Sequence, residues 1–186
     1  IAGLLGALII TTFFDSAASR DFSSKFADVL FTKPIRKSDY LIGRFLAACC
    51  VSLLPMIGIS IGIIVAGWLP YRDLERWCAI NWTAHGLSLI TFAIPNVLFV
   101  GAIVFAIATW TRSTLYSFLA VLGLLVAYSV ALSLVSELSN ESFAVLADPM
   151  GATGFGIATK YWTPDQRNNW VVPLSGLLLV NRVLWL

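Results

Sequence analysis

Few side chains in this 186-residue sequence are of the types that perform acid–base or metal chemistry. His85 is the only histidine, so a histidine metal site or a Ser-His-Asp triad lacks its usual material. Cys49 and Cys50 are adjacent in an apolar run, while Cys78 stands alone, and this spacing fits no metal motif. We therefore predict three unpaired cysteines, no metal site and no hydrolase chemistry in this chain.

A glycine-rich segment, 151–156, precedes Lys160 and superficially resembles a phosphate-binding loop. It fails the Walker pattern, because no Lys-Ser/Thr pair directly follows its last glycine. We interpret it as a flexible outer loop. The chain is thus expected to hold no cofactor and not to hydrolyse ATP by itself.

The chain as a whole, which would have to position any such site, is very apolar. The sequence is 59% hydrophobic and 12% charged, with a mean hydropathy of +0.86. A soluble domain is about one quarter charged, and a soluble chain this apolar would expose large sticky patches. The net charge of +2, without a basic stripe, argues against a nucleic-acid partner. A lipid bilayer is the expected surrounding.

Long apolar runs predict an all-α fold, a polytopic transmembrane helix bundle with short interfacial helices. The predicted spans are about 1–14, 40–69, 87–110 and 114–136, with the start of another at 174–186. Crossing the hydrocarbon core takes about 20 apolar helical residues, and the three middle runs reach that length. Open sheets cannot satisfy their backbone in lipid, and the alternation of barrel strands is absent. Both ends fall within apolar runs, so we expect 1–186 to be a fragment of one transmembrane domain, with truncated spans at both ends.

The positions of lysine and arginine predict the orientation of the spans. Most of them lie in the segment 15–44 or in the turn at Arg112, which share one side if every run crosses. The positive-inside rule favours the cytoplasm for that side. Six tryptophans then form an aromatic belt near the outer boundary: Trp68, Trp77, Trp82, Trp162, Trp170 and Trp185.

The polar segment 137–173 is predicted to be extracytoplasmic. Asp148-Pro149 and Thr163-Pro164 each combine a capping residue with a proline suited to the first helical position. We therefore expect short helices there, lying outside the bilayer.

Small residues and prolines mark special positions in the spans. Gly58, Gly62 and Ala66 form a stripe at helical spacing that could pack against another helix, although such glycines are also common in membrane helices generally. Pro55 and Pro95 are expected to bend their helices.

The spans carry no Asp, Glu, Lys or His at depth, in the runs 45–69, 87–110 and 114–136. Ion-coupled transporters usually place ionisable groups there, so this absence argues against a proton pump or symporter. It also makes an intramembrane enzyme the weakest of the functional hypotheses.

The loop at 15–39 carries an amphipathic pattern. Phe22, Phe26, Val29 and Leu30 fall at i, i+4, i+7 and i+8, on one face of a helix. Lys33-Pro34 would end that helix. Such a helix could rest on lipid or fill a groove on a partner, and the periodicity alone favours lipid.

The stretch 27–45, ADVLFTKPIRKSDYLIGRF, resembles the corresponding loop of ABC-2 type transporter permeases. In that family this loop contains the coupling helix that docks on the ATP-binding subunit. The resemblance implies that the coupling residues are Phe22, Phe26, Val29, Leu30, Phe31 and Arg36. One departure is that Arg20-Asp21-Phe22-Ser23 stands where these loops usually carry an early acidic residue, so the charge balance at the dock can differ.

The resemblance implies a permease subunit, an exporter of the bacterial cytoplasmic (inner) membrane. ATP and Mg²⁺ would bind a separate ATPase subunit, and a second permease half would complete the transporter. The C-terminal part adds a narrower likeness, carried by Asp148-Pro149-Met150-Gly151, Tyr161-Trp162-Thr163-Pro164 and 173–182, to a bacterial subgroup of which some members continue into a zinc aminopeptidase domain. The alternative is therefore a passive membrane anchor for an attached aminopeptidase-like domain.

Overall fold

The computed structural model describes residues 2–24, 32, 36–70, 80–136 and 141–186. Over these ranges the chain forms eight helices and no strand. The helices are α1 Ala2–Ser23, α2 Lys37–Ala66, α3 Trp82–Thr111, α4 Thr114–Ser136, α5 Glu141–Ala147, α6 Ala152–Ala158, α7 Pro164–Asn169 and α8 Gly176–Leu184. The predicted all-α class is confirmed.

Three helices are long and apolar enough to cross a membrane: α2, α3 and the Thr114–Ser133 part of α4. Their mean hydropathy is 2.2 to 2.4, and only 11 to 33% of each apolar stretch is buried by the rest of the described chain. Exposing this much apolar helix surface to water is unfavourable, whereas the hydrocarbon core of a bilayer is a suitable surrounding for it. The chain is a membrane protein.

The first helix is longer than the apolar run that predicted it. The span was expected to end near Phe14, but α1 continues as one helix to Ser23. Its buried positions repeat every three or four residues, through Ala7, Phe14, Ala18 and Asp21. The helix can continue past Phe14 because its buried carboxylates find hydrogen-bond partners on other helices.

The third helix contains one π-helical turn, Leu89–Ala93, between the α-helical segments Trp82–Ser88 and Ile94–Thr111. Its last bond runs from the Ile94 N–H to the Leu89 carbonyl, directly before Pro95. Proline lacks an N–H and crowds the preceding turn, so the wider turn accommodates it. The π-helical turn precedes Pro95, whereas α2 is helical on both sides of Pro55. The bends predicted at the two prolines stay predictions.

The segment after α4 contains short helices, as predicted. Thr163 caps α7 in a capping box with Gln166, and Pro164 takes the first helical position. At Asp148-Pro149 the predicted start is wrong, because α6 begins only at Ala152. Gly151 adopts a left-handed conformation, with φ of 75°, and so delays the helix.

The chain divides into two compact units. The first unit is Ile1–Pro55 with Val97–Ala131, and the second unit is Met56–Asn96 with Leu132–Leu186.

The predicted packing stripe of α2 faces outward in the described chain. Gly58 and Gly62 are exposed, and a Cβ at either would meet nothing within 4 Å. Ala66 is half-buried. Helix packing at this stripe therefore stays a prediction about another chain.

Candidate functional site

The first unit is built around an aromatic cluster that joins three helices. Phe14 of α1 is fully buried, with ring centroids 5.3 Å from Phe45 of α2 and 6.5 Å from Phe105 of α3. Tilted and edge-to-face contacts at these distances are favourable aromatic geometry. Gly101 of α3 makes room for the cluster, since a Cβ there would lie 2.3 Å from Cζ of Phe14.

Next to this cluster, Asp15 ties α1 to the start of α4. The carboxylate is 4% exposed, and it accepts hydrogen bonds from the hydroxyls of Thr114, at 2.8 Å, and Ser117, at 2.7 Å. Both donors lie in the first turn of α4, where unpaired N–H groups give the helix a partial positive charge. A buried carboxylate is stabilised at that position.

Asp21, two turns further along α1, contacts the start of α2. Its carboxylate accepts a hydrogen bond of 2.7 Å from the Tyr40 hydroxyl and forms an ion pair with Arg44. Tyr40 and Arg44 are four residues apart, so they share one helix face, and the guanidinium lies 5.6 Å from the tyrosine ring. The side chain of Asp21 is 9% exposed and that of Arg44 is 32% exposed, so solvent screens this pair only partly.

The last turn of α1 also contacts the turn between α3 and α4. The guanidinium of Arg112 lies over the Phe22 ring, 4.4 Å from its centroid. Arg112 has a φ of 52°, in the left-handed region that non-glycine residues rarely occupy. The contact with Phe22 helps to hold this unfavourable turn.

We call Asp15, Asp21, Tyr40, Arg44 and Arg112 the loop anchor. Asp21 precedes the stretch 24–36 in sequence, and Tyr40 and Arg44 follow it, yet their side chains are in contact. The anchor therefore brings both ends of this stretch together and connects them to α1, α2 and α4. Chemically it is a set of oriented charges and hydrogen bonds without an exposed nucleophile.

The structure places only two of the predicted coupling residues. Phe22 belongs to α1 and is half-buried beneath Arg112, while Arg36 is exposed and its carbonyl accepts a hydrogen bond from the Tyr40 N–H. Phe26, Val29, Leu30 and Phe31 lie outside the described residues. The amphipathic pattern thus starts inside α1, and Phe22 packs within the chain.

The second unit contains a buried polar core around Arg182. This residue is 2% exposed, and its guanidinium donates to the Asn181 side chain, to the Asn96 side chain at 3.3 Å and to the Pro149 carbonyl at 3.1 Å. The Asn181 amide in turn donates to the carbonyls of Val145, at 2.6 Å, and Asp148, at 2.8 Å. Backbone oxygens supply many of these acceptors, so the core fixes the turn between α5 and α6.

Asp148 completes this core by capping α6 from outside. Its carboxylate accepts hydrogen bonds from the N–H groups of Met150, Gly151 and Thr153, at 2.8, 3.0 and 2.6 Å. Glycine is needed at position 151 for two reasons. Its φ is positive, and a Cβ there would lie 2.4 Å from the Arg182 guanidinium. We call Asp148, Gly151, Asn181 and Arg182 the arginine core.

The arginine core lies beside the body of α3. The side chain of Asn81, at the start of α3, donates to the Asn169 carbonyl at 3.2 Å, and that of Asn96 donates to the Met150 carbonyl at 3.4 Å. These asparagines are separated by fifteen residues, which is roughly 22 Å of helix at about 1.5 Å per residue. The segment after α4 therefore packs along α3 between Asn81 and Asn96. Its predicted position outside the bilayer stays a prediction.

One other sequence interpretation changes in the structure. The glycine-rich segment was expected to be a flexible loop, but most of it forms α6, with Gly154 against Leu178 and Val145. His85 lies in the first turn of α3, near the helix start as expected. Among the described residues no group of histidine, cysteine and acidic side chains could hold a metal ion. Cys49 and Cys50 are free thiols, and Cys78 lies outside the described residues.

The two polar networks were missed by reasoning from the sequence. Asp15 was placed at the start of a loop, and no local pattern links it to Thr114 or Ser117. Asn181-Arg182 was noticed only as part of a likeness, although two strongly polar residues inside the apolar run 176–186 were a usable signal.

Comparisons with protein-family models, curated proteins and solved structures found no match for this chain. The geometry of the two units and the resemblance of the 27–45 stretch are thus the available guides to function.

Proposed function

We propose that this chain is part of the transmembrane permease of an ABC-2 type transporter, driven by a separate ATP-binding subunit. The observation that carries this proposal is the loop anchor, which ties both ends of the stretch 24–36 to α1, α2 and α4. That stretch overlaps the sequence that resembles a coupling loop.

The anchor gives the loop a mechanical route to the helices. Force applied between Ser24 and Arg36 acts on α2 through Asp21, Tyr40 and Arg44. The same force acts on α4 through Asp15, because α1 is one continuous helix from Asp15 to Asp21. Packed helices move as rigid bodies, so a displaced loop would shift several helices together.

Coupling also requires an energetic difference between nucleotide states. A partner ATPase can shift the permease only if its contact with the loop differs in free energy between its ATP-bound and ATP-free forms. The apolar residues Phe26, Val29, Leu30 and Phe31, with the cation Arg36, are the proposed contact. ATP and Mg²⁺ would remain on the partner, and the chain would act as an exporter in a bacterial cytoplasmic membrane beside a second permease half.

The outward-facing part of α2 supports a role for a second permease half. Gly58 and Gly62 leave open space along a helix that is otherwise lined by exposed isoleucines. Small residues allow helices to approach closely in lipid. We place the contact between permease halves on this face.

The direct test is ATPase stimulation in proteoliposomes that contain the full-length protein and its candidate ATP-binding partner. The variant Phe26→Asp with Leu30→Asp places two charges on the proposed docking face, and Ser24→Asp is the control that adds charge without removing an apolar side chain. We expect the double variant to insert normally but to lose partner binding and stimulation, while the control keeps both.

Unchanged binding and stimulation in the double variant would refute coupling through this loop. The loop would then be a lipid-resting helix, and the alternative of a passive membrane anchor for an attached aminopeptidase-like domain would take precedence.

A further inference from the structure

The second unit contains an open apolar groove between α5, α6, α8 and the irregular chain at 171–173. Its volume is about 610 Å³. The wall includes Val145, Ile157 and Leu178, together with Trp162 and Trp170, whose rings meet edge to face at 5.9 Å. The arginine core does not contribute its charged side chains to this wall.

The chemistry of the wall selects an apolar occupant. Ser175 is the only hydroxyl-bearing side chain among the lining residues, and none of them is charged. A groove of this size falls within the range of small-molecule sites, about 300–1,000 Å³. An extended peptide is a poorer fit, because a mostly apolar wall offers few partners for its N–H and C=O groups, and most of them would lose water unpaired.

Contacts with α3 indicate where the groove lies relative to lipid. Trp170 directly follows Asn169, whose carbonyl accepts the hydrogen bond from Asn81 at the start of α3. α3 is long and apolar enough to span a membrane, and its 30 residues exceed the roughly 20 that the hydrocarbon core needs. When α3 crosses a bilayer, its start therefore lies at or just outside the bilayer boundary. Tryptophan prefers that boundary, and the groove next to Trp162 and Trp170 thus faces the region where acyl chains begin.

We propose that this groove binds one acyl chain of a membrane phospholipid from the leaflet in which α3 begins. Acyl chains are the most abundant apolar groups in the bilayer. Burying one against the wall gains favourable van der Waals contacts and leaves no polar group of the ligand without a hydrogen-bond partner. This inference requires only that α3 crosses a bilayer, and it is independent of ATPase coupling.

Quenching of tryptophan fluorescence by a brominated lipid tests this proposal. The full-length protein in detergent would be titrated with dibrominated phosphatidylcholine, since bromine quenches indoles that it contacts. We expect a saturable component at one lipid per chain, carried by Trp162 and Trp170 and reversed by the same lipid without bromine.

Two variants fill the groove, and one control does not. Ala158→Phe adds a ring at an exposed wall residue of α6, and Ser175→Phe adds one where the native hydroxyl makes no capping bond to α8. Ala152→Phe makes the same change elsewhere on α6, at an exposed residue outside the wall. Each filled variant should bind at least about tenfold more weakly, because the ring excludes several methylenes. The control should match the native protein.

The proposal is overturned if quenching in the native protein rises without saturation, as expected for lipids that merely surround the chain. It is also overturned if a filled variant that retains native helix content keeps the saturable component, or if Ala152→Phe loses as much of it as Ala158→Phe. Stoichiometric displacement of the brominated lipid by an apolar peptide would assign the groove to a peptide instead.

Discussion

The two units bury ionic groups in different ways. In the first unit, Asp15 and Asp21 are held by side chains of other helices, namely hydroxyls and a guanidinium. In the second unit, Asp148 binds backbone N–H groups, and Arg182 and Asn181 bind backbone carbonyls of a neighbouring turn. Arg182 also donates to the side chains of Asn181 and Asn96, so the contrast is one of emphasis: backbone partners predominate here.

This difference has a mechanical consequence. Contacts between side chains of separate helices can exchange partners when helices shift, so they suit an element that moves. Contacts to the backbone of one turn hold that turn in a single shape, and losing them leaves buried groups unpaired. We therefore expect movement at the loop anchor and rigidity at the arginine core.

The largest effect is expected from Gly151→Ala in the second unit. The new Cβ would lie 2.4 Å from the buried Arg182 guanidinium, at a residue with a φ of 75°. Strain and overpacking together should cost about 3 kcal/mol. Gly156→Ala is the control on the same segment, because it meets only open space. A thermal midpoint in detergent that fell equally in both variants would contradict a rigid arginine core.

The next largest effect is expected from Gly101→Ala in the first unit. A Cβ there would lie 2.3 Å from the fully buried Phe14 ring and disturb the aromatic cluster. Overpacking of this kind costs about 1–3 kcal/mol. Gly123→Ala on α4, where a Cβ meets nothing within 4 Å, should be neutral or slightly stabilising. Equal thermal midpoints for the two variants would contradict this prediction, because they would show that the Phe14 ring can move aside at little cost in stability.

A smaller loss is expected from Asp15→Asn in the loop anchor. The amide keeps one acceptor for the hydroxyls of Thr114 and Ser117 but removes the charge near the positive end of α4. We expect a loss of about 1 kcal/mol, the typical difference between a charged and a neutral hydrogen bond. Asp39→Asn, at an exposed residue, is the control. Identical thermal midpoints for the two variants would show that the hydrogen bonds of Asp15 do not stabilise the contact between α1 and α4.

The smallest effect concerns an exposed pair that belongs to neither network. A hydrogen bond of 2.8 Å from Lys160 to Glu141 raises the pKa of Lys160 above its ordinary value of 10.5. Because the pKa of Lys160 is higher in the folded than in the unfolded chain, the pair stabilises the fold fully at pH values below 10.5. This contribution is lost as the pH rises through the pKa of Lys160 in the folded chain. Because the pair is exposed, a pH scan of Lys160→Gln should follow the native scan closely and differ only slightly below that pKa. A clear separation of the two scans at neutral pH would contradict this.

The long elements could be predicted from the sequence because their signal is local. Runs of apolar residues identified α2, α3 and α4 as helices long enough to span a membrane, and Thr163-Pro164 marked the start of α7 correctly. Hydropathy and capping depend on neighbouring residues only, so a single sequence is enough to read them.

The polar networks could not be predicted, because their partners are distant in sequence. Asp15 meets Thr114 and Ser117, which follow it by about a hundred residues, and Arg182 meets Asn96. The predicted end of α1 at Phe14 was wrong for the same reason. The charged Asp15 indicated the start of a loop, and its buried partners Thr114 and Ser117 cannot be recognised from the local sequence. The delayed start of α6 depends on the backbone of Gly151, which the Asp148-Pro149 pattern does not reveal.

The central claim is that the loop anchor transmits movement of the loop to the helices, and a double-mutant cycle on Asp21 and Arg44 tests it most directly. ATPase stimulation and partner binding would be measured in proteoliposomes for Asp21→Asn, Arg44→Gln and the double variant. If the ion pair transmits movement, each single variant binds the partner normally but stimulates its ATPase less, and the double variant is no worse than either single one. Native stimulation in all three variants, or additive losses without coupling between the two residues, would contradict the claim.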